Sequence, residues 1–228
     1  MNNKAIAKLS KPYIPLIQKP MCCAVTCLQM ILYRNGFGLY DQEDLAIEFG
    51  VKIDKKDAHA FRSDMPVMSA ANLDEGIATI DAADEINKFF RSLKVPLSAT
   101  AFRASNIPDL EDFIIEGLNA QYDMWIEYHA HEIHCDDTTN GKYIHDGLIE
   151  SYDANSKEAT VIDPVPEHRQ RLSVGIDQLK NSIGPVPFLC RPKCSFRPLP
   201  SKMRRLTSCI DWRKLASKFV FALRFENL

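Results

Sequence analysis

Gln18-Lys-Pro-Met-Cys-Cys-Ala-Val-Thr-Cys-Leu-Gln-Met-Ile-Leu32 sets a glutamine just ahead of two adjacent cysteines that open onto an apolar run. Ala24, Cys27, Leu28, Ile31 and Leu32 recur at three- and four-residue steps, the pattern of a buried helix, and Asn35-Gly36 stops it. A thiol in the first turn of a helix meets unpaired backbone N–H groups and the positive end of the macrodipole. Both favour thiolate, the nucleophilic form. Gln18, a few residues upstream, can offer a side-chain N–H to a developing oxyanion. Such a site needs a histidine base and a group to orient it.

Downstream, Lys142-Tyr-Ile-His-Asp-Gly-Leu-Ile-Glu-Ser-Tyr-Asp153 supplies the histidine, His145, near the start of a strand. Thr160-Val-Ile-Asp-Pro164 ends the next strand with Asp163. Asp153-Ala-Asn-Ser-Lys157 between them has the turn chemistry of an antiparallel hairpin. A hairpin lays the start of one strand beside the end of the next, which sets His145 and Asp163 within hydrogen-bond reach. Asp163 would then fix the tautomer of His145, and His145 would take the thiol proton.

Composition is that of a globular chain: 228 residues, 46% apolar and 25% charged. The net charge of -2 is unevenly spread. From Cys190 onward there are ten Lys+Arg and two acids, a charge of +8, while the preceding 189 residues hold 18 basic and 28 acidic residues, or -10. An acidic main body argues against a nucleic-acid partner. The N-terminus, interrupted by Lys and Pro, does not read as a signal peptide. No run of about 18 apolar residues predicts a membrane span. The seven cysteines lack a small-domain disulfide spacing, so the expected setting is cytoplasmic, with reduced thiols.

The remaining pattern predicts a short edge strand at Tyr13–Ile17 and a capped helix over Asp41–Gly50. An irregular segment follows over 51–75, then an amphipathic helix over Asp81–Leu93. Val95–Phe102 is a strand candidate, Asp109–Leu118 a helix, and Asp123–His129 a strand. Tyr143–Tyr152 and Glu158–Ile162 form the hairpin, and Ser173–Ile183 a closing helix. Helices come first and a hairpin-rich sheet later, an α+β order. The expected division is a domain over 1–189 and a basic extension over 190–228.

Two other features compete. His129-Ala-His131-Glu-Ile-His134-Cys135-Asp-Asp137 places His129 and His131 on one face if the strand continues, so with His134 or Cys135 it can be drawn as a zinc site of a metal-dependent hydrolase; alternatively the segment lines the cleft ahead of His145. Trp125 and Glu150 read as core and sheet-surface residues. In the extension, Cys190, Cys194 and Cys209 give only weak zinc-knuckle spacing. The basic, apolar run Asp211–Phe225 reads as a helix for a membrane surface or a protein partner.

Taken together, Gln18, the Cys22-Cys23 helix start, the strand His145 and the following Asp163-Pro164 resemble the papain-like C39 and C39-like peptidases. Cys23-Ala-Val-Thr-Cys27-Leu28-Gln29-Met30 overlays that family's Cys-Gly-x-x-Cys-Leu-x-Met pattern, which makes Cys23 the nucleophile and Cys22 the alternative. The resemblance spans about Ile14 to Ile183 and implies a papain-like α+β fold. It implies a Cys23–His145–Asp163 triad, an oxyanion hole from Gln18 and the Cys23 N–H, a peptide or acyl substrate, and no cofactor. Ala24 stands where the family usually has glycine. The same triad serves a peptidase or an acyltransferase, and a papain-like binding module without turnover is the alternative from another class.

Overall fold

The computed structural model describes residues 6–62, 64–68, 79–102, 104–134, 144–166, 170–183 and 220–223. The reading of Cys135, of the boundary near 185–190, and of Cys190, Cys194 and Cys209 lies outside them. The elements are β1 (Ile6–Lys8), α1 (Cys23–Arg34), α2 (Gln42–Glu48), α3 (Thr79–Ser92), β2 (Ala101–Phe102), α4 (Leu110–Asn119), β3 (Asp123–His129), α5 (Ala130–His134), β4 (Ile144–Asp153), β5 (Glu158–Ile162), β6 (Arg171–Gly175), α6 (Ile176–Ser182) and β7 (Val220–Leu223). The sheet runs β2-β7-β3-β4-β5-β6, with β1 also on β4, and every pairing is antiparallel. Helices and an antiparallel sheet share one core, the α+β class that the sequence pattern implies.

Helices cover both faces of the centre of this sheet. On one face α1 is bound by a buried network: the Arg34 guanidinium (2.6 Å), Asn35 Nδ2 (2.9 Å) and the Tyr13 hydroxyl all donate to the Asp123 carboxylate at the start of β3. On the other face, Gly117 of α4 lies against Met124; a Cβ there would come within 2.8 Å of the Met124 sulfur. Strands buried on both faces read as continuous apolar runs rather than alternations. The polar residues they do carry must find partners inside the protein.

Several expectations need correction. Tyr13–Ile17 is not a strand; Ile6–Lys8 takes the edge position, paired to Ser151–Asp153. Pro12 and Pro15 lack the N–H that a ladder needs, and side chains anchor this stretch instead. Tyr13 N–H donates to Glu150 and Arg171 donates to Tyr13 O. Val95–Phe102 is strand only at its last two residues, because the Asn87 amide on α3 takes both backbone groups of Ala99, each at 2.8 Å. Ser173–Gly175 belongs to β6, and the closing helix begins only at Ile176. In the C-terminal basic run, Val220–Leu223 is not helical: it forms β7, between β2 and β3. Among the described residues no helix is long and apolar enough to cross a membrane.

Candidate active site

Cys23 is the first residue of α1, and Cys22 before it makes no side-chain cap. Met21, at φ 63°, turns the chain into the helix in the left-handed region that side chains disfavour. This entry is held from several sides. The Gln18 N–H donates to Pro164 O (2.9 Å), beside Asp163. One amide, that of Gln42 at the start of α2, grips the backbone on either side of Gln18. Its Nε2 donates to Ile17 O (2.9 Å), and its Oε1 accepts from the Lys19 N–H (2.8 Å). Lys19 in turn pairs with Glu43. The two cysteines differ sharply: Cys22 is fully buried, Cys23 half-buried. Burial, aided by Glu43 and opposed by Lys19, pushes the Cys22 thiol up to about 12.

The hairpin brings His145 and Asp163 together. His145 Nε2 donates to Asp163 Oδ1 at 2.9 Å, and both side chains are completely buried. The same carboxylate accepts from Val165 N–H (2.8 Å) and the Tyr128 hydroxyl (2.7 Å), and His134 Nε2 lies 2.8 Å away. Burial alone would raise the pKa of Asp163. Hydrogen bonds from His134 and His145 outweigh it and hold the carboxyl far below its usual range. Tyr128 also meets the His145 ring edge-to-face at a centroid distance of 5.4 Å. Gly147 makes that approach possible, since a Cβ there would lie 3.1 Å from the Tyr128 ring and 3.0 Å from Ile162 O.

At the thiol, the acceptor is Asp146. Cys23 Sγ–H donates to Asp146 Oδ2 at 3.2 Å, and Trp125 Nε1–H donates to Oδ1 at 2.7 Å. His145 and Asp146 are consecutive on β4, so their side chains leave it on opposite faces. Asp146 turns to the α1 terminus and His145 to Tyr128. The expected low thiol pKa is therefore corrected. Loss of water around the sulfur, then the neighbouring carboxylate, pushes the Cys23 thiol well above its ordinary range. The backbone N–H groups of Ala24 and Asp146 pull the other way.

Asp146, Tyr128 and Gln42 are site residues that sequence reasoning missed, and Trp125 is more than core filling. The available signal was Asp146 itself, a carboxylate in a strand buried on both faces. The histidine cluster divides. β3 ends at His129, and His131 and His134 lie on the short α5, which breaks the alternation a strand ligand set needs. His134 serves Asp163, and no group of three metal-ligating residues forms among the described residues.

No family model and no curated protein matches this chain. Among solved structures, a protein of Bacillus anthracis assigned as a C39-like peptidase superposes with a TM-score of 0.54 at 14% identity, covering 99% of this chain and 100% of its own. The fold is that of the C39-like peptidases. A double-glycine motif protease from an AMS/PCAT transporter, solved with its leader peptide, gives a TM-score of 0.47 at 12% identity over 80% of this chain and 94% of its own.

Proposed function

We propose that this chain is a thiol peptidase of the C39-like fold. Cys23 attacks a peptide carbonyl, His145 acts as base and then acid, and Asp163 orients His145. Gln18 and the Cys23 N–H face the oxyanion. In the resting site Cys23 faces Asp146 while His145 lies on the other face of β4 against Asp163 and Tyr128, so transfer of the thiol proton requires the thiol to leave Asp146 and reach His145 Nδ1, the nitrogen that Asp163 does not hold. The thiolate adds to the carbonyl carbon, the proton moves to the leaving amine, and water releases the acyl group from sulfur. An amine in place of water would make the same acyl-enzyme an acyltransferase.

The observation that carries this reading is the half-buried Cys23 at the first residue of α1, set against β4, which bears the buried His145 paired with Asp163 at the end of β5. The test is incubation with a mixed peptide library and mass spectrometry of the products, with and without an added amine. New termini should be lost in Cys23→Ala, fall about 10²–10⁴-fold in His145→Ala, and persist in Cys22→Ala. Unchanged products in Cys23→Ala would overturn the proposal.

One observation favours a second reading, a peptide-binding module without turnover: the thiol is bonded to a carboxylate, with Ala24 following where the family has glycine. In that case the library remains intact, and peptide binding is equal in the wild type and Cys23→Ala.

A further inference from the structure

Asp146 is a carboxylate that the proposed mechanism does not use, yet it is the residue bonded to the proposed nucleophile. Its side chain is almost entirely buried, and both oxygens are engaged, Oδ2 by the Cys23 thiol and Oδ1 by the Trp125 indole. Trp125 is itself buried in β3, so it fixes the direction of the carboxylate. A carboxylate can only accept here, and the atom that must donate is sulfur. The arrangement is therefore self-consistent only with the proton on Cys23, or with a proton on Asp146.

We propose that Asp146 is a positioning residue that latches Cys23 as a neutral thiol in the resting site, with Trp125 as the anchor of the latch. Activation breaks the Sγ–H···Oδ2 bond, turns the thiol away from Asp146 toward His145 and passes that proton to the imidazole, leaving a thiolate and an imidazolium. One S–H bond breaks and one N–H bond forms, with no change of oxidation state. The activation step rests on the peptidase reading; the latch itself does not.

The surroundings support a high cost for an unlatched charge. Cys27 lies one turn along α1, Glu127 is directly opposite Asp146 on β3 and buried, and Tyr128, His134, His145 and Asp163 are the further titratable groups of this site among the described residues. Two of these, Glu127 and Asp163, are carboxylic acids, so with Asp146 itself a second negative charge at sulfur is opposed from β3, β4 and the end of β5. Burial raises the Asp146 carboxyl as well, against the hydrogen bonds from Trp125 and Cys23 and the charge of His145.

The test is the rate of iodoacetamide alkylation at Cys23, followed across pH 5–10 by peptide mapping of the full chain. Asp146→Asn is isosteric and removes the anionic acceptor. The expected result is a Cys23 rate at pH 7 at least about tenfold above wild type, with the alkylation midpoint moved to lower pH, since an opposite change in charge nearby shifts a pKa by a unit or more. Trp125→Phe, which frees the carboxylate without removing it, should give a smaller rise in the same direction. A Cys23 rate in Asp146→Asn equal to or below wild type across the range overturns the latch; a fall would make Asp146 the base for sulfur. If Asp146→Asn does not fold, the Trp125→Phe profile decides by the same criterion. Adding His145→Ala to Asp146→Asn separates the two proposals. A rise that survives this change upholds the latch and removes the Cys23–His145 pair, whereas a rise that disappears upholds both.

Discussion

At the level of single residues, the least replaceable group is the Asp163 carboxylate, which takes four contacts from four different places in the chain. Its pKa is depressed in the folded state, so the folded chain holds the proton less tightly than the unfolded chain. The resulting stability is present above the unfolded carboxylate value of about 3.9 and is lost as pH falls toward the folded value. We expect wild-type thermal stability to drop steeply below about pH 4. Asp163→Asn should flatten that acid limb while lowering stability at pH 7 by about 3–5 kcal/mol, the usual scale for removing one partner of a buried charged pair. Thermal melts at pH 3 to 7 check both. A parallel acid limb in the variant would mean that Asp163 is not the group responsible. His145 and Asp163 were legible in the sequence because a hairpin turn at Asp153–Lys157 dictates which residues meet. Asp146 was not, because choosing between two consecutive strand residues requires the face each one takes, and that depends on a pleat no local pattern reveals.

At the level of elements, α2 holds the segment around Gln18, the proposed oxyanion residue, through the Gln42 amide and the Glu43–Lys19 pair. Gln42 bonds the backbone before and after Gln18, so Gln42→Ala should loosen Gln18 without touching Cys23. The expected outcome is a loss of about 10-fold in kcat with KM little changed, because an oxyanion contact strengthens only in the transition state. A rise in KM at constant kcat would place Gln42 in ground-state binding instead. The long periodic elements α1, α4, β3, β4 and β5 were readable from apolar spacing. The misread ones share a cause: side chains replaced ladder partners at Tyr13 and Ala99, and Ser173-Val174-Gly175 was drawn into a strand by pairing with β5. Tertiary hydrogen bonding overrode local preference in each case.

At the level of the molecule, the C-terminal basic stretch returns to the body. Val220–Leu223 pair with Asp123–Trp125 of β3 and with β2, placing a late segment of chain inside the sheet that carries the site. Composition alone marks this stretch as different in charge, and charge says nothing of strand order. Ending the chain at residue 189 should leave the β3 edge unpaired, lowering the melting temperature by several degrees and promoting self-association. A truncated chain with an unchanged melt and a monomeric elution would show the extension to be independent of the sheet.

The central claim, that Cys23 is the one thiol built for attack, is met most directly by treating the full chain with a peptidyl fluoromethyl ketone and mapping the adduct by mass spectrometry. One adduct per chain is expected, on Cys23, absent in Cys23→Ala, retained in Cys22→Ala and formed at least about 100-fold more slowly in His145→Ala. Adduct on Cys22, or slow and equal labelling spread over the seven cysteines, would contradict it.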